Sequence, residues 1–233
     1  MRRPGTRPFV ATLLSLLLLL AWDAGSGDLW LARAIGGPAG FAWQDNFWLV
    51  TVMHRGGKAL GWALWLGLLL AVRWPVGVLR RLDAGERGQL VIGALVSVVV
   101  VGLIKHASQT SCPWDLAEFG GHAAHVSHWL WSVRDGGAGH CFPAGHASVG
   151  FAFAGGWFVL RRHDVRAARA WLLAALAFGL VLGVGQQLRG AHFLSHTLWS
   201  AWLCWVCGWA TDIALASARR RCGRPHVTRP TQS

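Results

Sequence analysis

The sequence predicts an all-α polytopic membrane protein, a bundle of six transmembrane helices, and three observations carry that prediction. Hydrophobic residues fill 54% of the 233 positions and charged residues only 14%, a balance far from that of a soluble domain. Six apolar runs approach the ~20 residues that a helix needs to cross a bilayer. No ten-residue stretch alternates as a barrel strand would, and lipid cannot satisfy open strand edges, so the runs are helices.

The runs fall at 9–22, 59–79 with Arg73 inside it, 88–104, 147–160, 170–188 and 197–215. Together they make one six-helix domain, residues 1–218, followed by a basic tail, 219–233. The first run follows the basic stretch "MRRPGTRP", which suits a secretory n-region. The following "AWDAGSG" lacks a small-x-small cleavage site, however, and the run is read as an uncleaved anchor. The stretch "FAWQDNFWLVTVMHR" is either an amphipathic helix on the outer surface or an ordinary loop.

The net charge of +12 would suit nucleic acid if it formed one patch, but it sorts by loop instead. Arg2, Arg3, Arg7, Arg73, Arg80, Arg81, Arg87, Arg161, Arg162, Arg166, Arg169, Arg219, Arg220, Arg221, Arg224 and Arg229 fall on one side of the predicted membrane, 16 of the 22 basic residues. The other side keeps Arg33, Arg55, Lys58, Lys105, Arg134 and Arg189. The positive-inside rule then places both termini in the cytoplasm. Nucleic acid is excluded as a partner, and the bilayer is implied. Nine histidines lie on the sparse side and only His163 and His226 on the other, so the chemistry is expected to face outward.

Three outward stretches carry it: "KHASQTSCPWDL" from Lys105, "PAGH" from Pro143 to His146, and "GQQLRGAHFLSH" from Gly185 to His196. All three are predicted at one membrane face, where they can converge. A Pro in the first turn of a helix costs nothing, and the adjacent Gly145 lets a ligand approach the backbone. Such a helix start binds phosphate, and Lys105 and Arg189 add fixed positive charge. His146 and His192 supply a proton carrier and a nucleophile. At i, i+3 and i+7, Arg189, His192 and His196 would share one helix face.

These residues resemble the membrane-bound type 2 phosphatidic acid phosphatases, whose pattern is K-x6-R-P, then P-S-G-H, then S-R-x5-H-x3-D. Lys105, Pro143, Gly145, His146 and His192 match. Cys112, Ala144, Gly185, Gln186 and His196 stand in place of Arg, Ser, Ser, Arg and Asp. The resemblance implies metal-independent dephosphorylation of a lipid phosphate or pyrophosphate with no cofactor. His192 would attack phosphorus, and His146 would protonate the leaving oxygen and then activate water. It implies a bacterial-type inner membrane and a periplasmic site. Polyprenyl pyrophosphate, phosphatidic-type glycerolipids and a glycolipid phosphate such as that of lipid A are candidate substrates. Phosphotransfer to a second lipid would use the same phosphoenzyme. A non-catalytic lipid-phosphate binder is the reading that the altered positions favour. Nothing in the sequence assigns an oligomeric state.

The departures carry expectations of their own. Arg189, one turn after Gln186, can return a guanidinium to the site, and His196 takes the place of the carboxylate that orients His192. Asp115, Glu118 or Asp135 could supply an outer carboxylate. Cys112 and Cys141 flank the first two motifs on the oxidising side. A disulfide closing the 28 residues between them would stabilise by about 3 to 4 kcal/mol in the chain-entropy model. Elsewhere "HAAHVSH" spaces His122, His125 and His128 as a metal face would if helical, although interleaved carboxylates and thiols are lacking and solvated or interfacial rings are the favoured reading. The glycine-rich stretches around it read as flexible cover.

Overall fold

The computed structural model describes residues 6–222 and is built almost wholly from helices. Helix α1 (Thr6–Ala24) turns at Ser26 into α2 (Gly27–Ile35), and a hairpin of two-residue strands follows, β1 (Gly36–Gly37) against β2 (Gly40–Phe41). A π-helical stretch, Trp48–Gly56, then runs without a break into α3 (Gly57–Ala71). Next come α4 (Ala84–Ala107), a long connecting segment pinned by short 3₁₀ turns, α5 (Gly145–Phe151), a 3₁₀ turn, α6 (Gly156–Leu160), α7 (Val165–Leu188) and α8 (Leu194–Cys222).

Among the described residues, three helices are long and apolar enough to span a membrane: Ala84–Ala107, Val165–Leu188 and Leu194–Ala218. The pair α1 and α2, bent by 66°, makes a fourth if it counts as one span. The second predicted run breaks early, because α3 stops at Ala71 and Pro75, which lacks an N–H and keeps its predecessor extended, lies just beyond. The fourth predicted run is a shorter apolar helix, Gly145–Leu160, interrupted by its 3₁₀ turn. Arg2, Arg3 and most of the predicted tail lie outside the described residues.

Local sequence explains where the long helices start. Asp83 and Glu86 form a capping box on α4: Asp83 Oδ1 accepts from Glu86 N at 2.7 Å, and Glu86 Oε2 accepts from Asp83 N at 3.2 Å. Asp164 caps α7 by accepting from the N–H groups of Arg166 and Ala167. At this end of the bundle, opposite Lys105, His163 meets Glu86 at 2.9 Å and Arg162 pairs with Asp212.

Glycine brings the helices close enough to pack backbone on backbone. A Cβ on Gly150 of α5 would sit 2.3 Å from the Gly179 nitrogen of α7. One on Gly208 of α8 would meet the Gly155 Cα at 2.5 Å. Small residues at such crossings are how helices associate in lipid, where burial of apolar surface drives nothing. Outward faces stay apolar instead: Leu14, Leu17 and Leu18 of α1, Leu60 and Leu70 of α3, and Leu173 and Val181 of α7 are exposed. A belt of that kind suits acyl chains and not water.

Candidate active site

The three motif stretches meet at one end of the bundle. Lys105 closes the last turn of α4, His146 opens α5, and residues 189–193 link α7 to α8. Backbone bonds lock them together. Cys141 N donates to Thr110 O at 2.9 Å, Ala144 N to His196 O at 3.1 Å, and Trp114 N to Gly190 O at 2.9 Å. Cys112 and Cys141 are joined by a disulfide with Cα atoms 5.1 Å apart, which ties the first stretch to the approach of the second.

Lys105 lies against Gly145, where an added methyl would touch its Cδ at 3.4 Å. The Lys105 stem thus packs directly over the first residue of α5. Lys105, Gly145 and His146 form the polar end of a cavity of about 250 Å³ whose other walls include Trp62, Trp65, Leu95, Val149 and Phe153. Lys58, on the first turn of α3, lines the same cavity. Pro143 precedes the cap residue Ala144 and so lies in the entry loop, not in the first helical turn as expected. Gly145 is the first helical residue.

His192 is buried between α7 and α8, with Nδ1 3.4 Å from Cys141 Sγ. The ring of His196 stands edge-on to it, centroids 5.8 Å apart. Neither nitrogen of His196 has a hydrogen-bond partner among the described residues, so the expected bond from His196 to the His192 ring is not formed. His196 is instead boxed by His128, Phe142 and Phe193. Nor do Arg189, His192 and His196 share a helix face. The chain leaves α7 after Leu188, turns through Gly190 at φ +70°, and re-enters a helix only at Leu194. A left-handed glycine is what lets so short a link reverse the chain.

Arg189 turns back as expected, but its direct partners are protein atoms. Nε donates to Gln44 O at 2.8 Å, Nη1 donates to Gln186 Oε1 at 3.1 Å, and the guanidinium lies 5.5 Å from the Trp114 ring centroid. The three outer carboxylates are also committed elsewhere. Asp115 accepts from Cys112 N, Glu118 pairs with Arg33, and Asp135 accepts from Ser111 N and Oγ. Asp135 accepts from Gly137 N too, so the glycine-rich cover is pinned. His122, His125 and His128 lie on irregular chain and not on a helix, which removes the metal face. The one metal-sized cluster of donors among the described residues is Cys112, Cys141 and His192, and its two sulfurs are bonded to each other.

Two participants were missed by sequence reasoning. Asp23, at the end of α1, accepts from Trp199 Nε1 at 2.9 Å and Trp129 Nε1 at 3.1 Å and lies 3.3 Å from His128 Nε2. His54, on the π-helical stretch, stacks on His146 with ring centroids 3.6 Å apart. Its lone signal in the sequence was the excess of histidine on one side.

Burial pushes the His146 imidazole down to about 4 from 6.5, and the nearby charge of His54, Lys105, Lys58 and Arg189 works in the same direction. His192 is driven well below its ordinary value, first by burial and then by Lys105 and His146, against which the Cys141 backbone acts weakly. Both rings are therefore neutral in the free protein near pH 7. An unfolded chain takes up protons from about pH 6.5 downward that the fold refuses, so stability is full above that pH and falls as pH drops toward 4. The melting temperature in detergent should decline steadily through that window; a flat profile from pH 7 to 4.5 would contradict the neutral pair.

A cationic helix end beside an apolar cleft, with two neutral histidines at hand, defines a membrane-embedded helical protein that handles phosphate esters. Residues 88–219 match the family model of the PAP2 superfamily, and the chain belongs to that family. Members of this superfamily are phosphatases that act on phosphate esters. No curated protein and no solved structure matches the chain.

Proposed function

We propose that the protein is a lipid phosphatase of a six-span membrane bundle, with both termini cytoplasmic and its site on the outer face of a bacterial-type inner membrane. The observation that carries this reading is the two-ended cavity, with Lys58, Lys105 and His146 at one end and Trp62, Trp65, Leu95 and Val149 along the rest. An amphiphile with an anionic head fits such a shape, its chain lying between α3, α4 and α5. The 16-to-6 division of basic residues supports the orientation.

In this reading the phosphate settles against Lys105 and the start of α5. His192 has Nδ1 turned to the Cys141 sulfur, which leaves Nε2 to form the bond to phosphorus as the ester P–O bond breaks. His146 gives a proton to the departing oxygen. It can do so although neutral in the free site, because an adjacent phosphate dianion favours the protonated ring. It then removes a proton from water, whose oxygen attacks the phosphohistidine, and inorganic phosphate leaves. Metal takes no part in this sequence.

A lipid-phosphate binder without turnover is the second reading, favoured by Gln186 and disulfide-bonded Cys112 at the positions of the two family arginines. Phosphate release from a panel of polyprenyl pyrophosphate, phosphatidate and lipid A, with and without chelator, separates them. Release from at least one lipid that chelator leaves unchanged is expected. Binding with no release would establish the second reading, and loss on chelation would refute the metal-free step.

A further inference from the structure

His54 lies outside the family-matched residues 88–219 and outside all three motif stretches, yet it touches both halves of the site. Its ring lies against His146 with 32° between the planes. Its Nδ1 is 3.3 Å from Gln186 Oε1 and 3.4 Å from Arg189 Nη1, which donates to the same oxygen at 3.1 Å. The π-helical winding of Trp48–Gly56 places it there, a form that recurs at functional sites.

Gln186 occupies the position of the family's second arginine, and the exchange creates a problem of aim. A guanidinium presents donors along every edge, whereas a carboxamide presents donors on one side and an acceptor on the other. Flipped the wrong way, Gln186 would set its oxygen against a phosphate oxygen. Arg189 Nη1, which can only donate, fixes the flip with Oε1 toward it; with the proton on Nδ1, His54 is a second donor to that oxygen, and Nε2 keeps its two N–H groups on the other side of the amide.

We propose that His54 is a positioning residue of the phosphate site, donating from Nδ1 to Gln186 so that the Gln186 N–H groups face a phosphate oxygen, while its ring holds His146 flat. The proposal rests on the phosphate-binding reading above. It assigns the aim of a motif position to a residue 132 positions earlier in the chain. It also explains why Arg189, already bound to Gln44 O, is not enough: a single donor on Oε1 leaves the amide free to swing about that bond.

The test measures binding of inorganic phosphate to the purified, detergent-solubilised protein by phosphorus NMR, which needs no knowledge of the lipid. His54→Phe keeps the stacked ring and removes the donor, while His54→Asn keeps a donor near the Nδ1 position. His54→Phe is expected to weaken phosphate binding about tenfold, the loss of one good hydrogen bond, and His54→Asn to restore it to within about threefold. In a Gln186→Ala background, His54→Phe should cost less than about twofold more, because the two residues act as one unit. Independent, multiplying losses would overturn the proposal, as would His54→Asn failing alongside His54→Phe, or His54→Phe binding within about twofold of wild type. A wild-type protein that binds no phosphate would sink the phosphate-site reading itself, and this proposal with it.

Discussion

His192→Ala is expected to lose phosphate release by at least about ten-thousandfold, since a nucleophile that forms the intermediate has no substitute in the site. The same variant should form no acid-labile phosphoprotein on mixing with substrate. Burial suits this ring to nucleophilic attack, because an imidazole held neutral by its surroundings keeps a lone pair for phosphorus at neutral pH. Its second nitrogen faces a disulfide sulfur in place of a carboxylate. The positive charge that develops on attack is therefore less well balanced than it would be beside Asp, and turnover by the wild type should be modest. Activity of folded His192→Ala within about tenfold of wild type, equivalent to only about 1.4 kcal/mol of barrier, would exclude covalent catalysis by this residue.

His146→Ala is the second large effect, a fall in turnover of about a thousandfold with lipid binding little changed. Proton donation matters only when the P–O bond breaks, so the loss belongs in kcat and not in KM. The phosphoenzyme should still form slowly with a substrate whose leaving group needs no proton, such as an aryl phosphate, and should then persist because water is no longer activated. A KM raised as steeply as kcat falls would instead make His146 a binding residue. Since its pKa sits at about 4 in the free protein, the ring must take up a proton from solvent as the phosphate dianion binds, and kcat/KM should fall as pH rises from 6 to 8. A kcat/KM profile that stays flat from pH 6 to 8 would contradict an acid that is neutral in the free site and protonated only beside bound phosphate.

The helical architecture was legible because hydropathy is a local property. Residues 88–104 and 170–188 are apolar enough to read directly as helices, and α4 and α7 enclose them. Run 59–79 misled because its composition hides a boundary: Pro75 ends helical winding whatever the hydropathy, and α3 stops at Ala71. Arg189, His192 and His196 have helical spacing, but Gly190 adopts a left-handed turn that spacing alone does not reveal. His122, His125 and His128 were suggestive for the same reason and lie on irregular chain.

Taken alone, the sequence determined that the protein is helical and apolar on its outer faces, and that Lys105, His146 and His192 lie in stretches predicted at one membrane face. Each of these follows from composition, from spacing, or from how many times the chain crosses before each motif. Tertiary structure alone decided which atoms meet. It sent Arg189 to Gln44 and Gln186 and left the two ring nitrogens of His196 without a hydrogen-bond partner among the described residues. It also laid His54, from a π-helical stretch far along the chain, on His146. The physical reason is that an imidazole or guanidinium acts over about 3 to 4 Å, while its position at that scale is set by where neighbouring helices cross. Those crossings depend on close contacts such as Gly150 with Gly179 and Gly155 with Gly208, which no reading of one segment at a time contains.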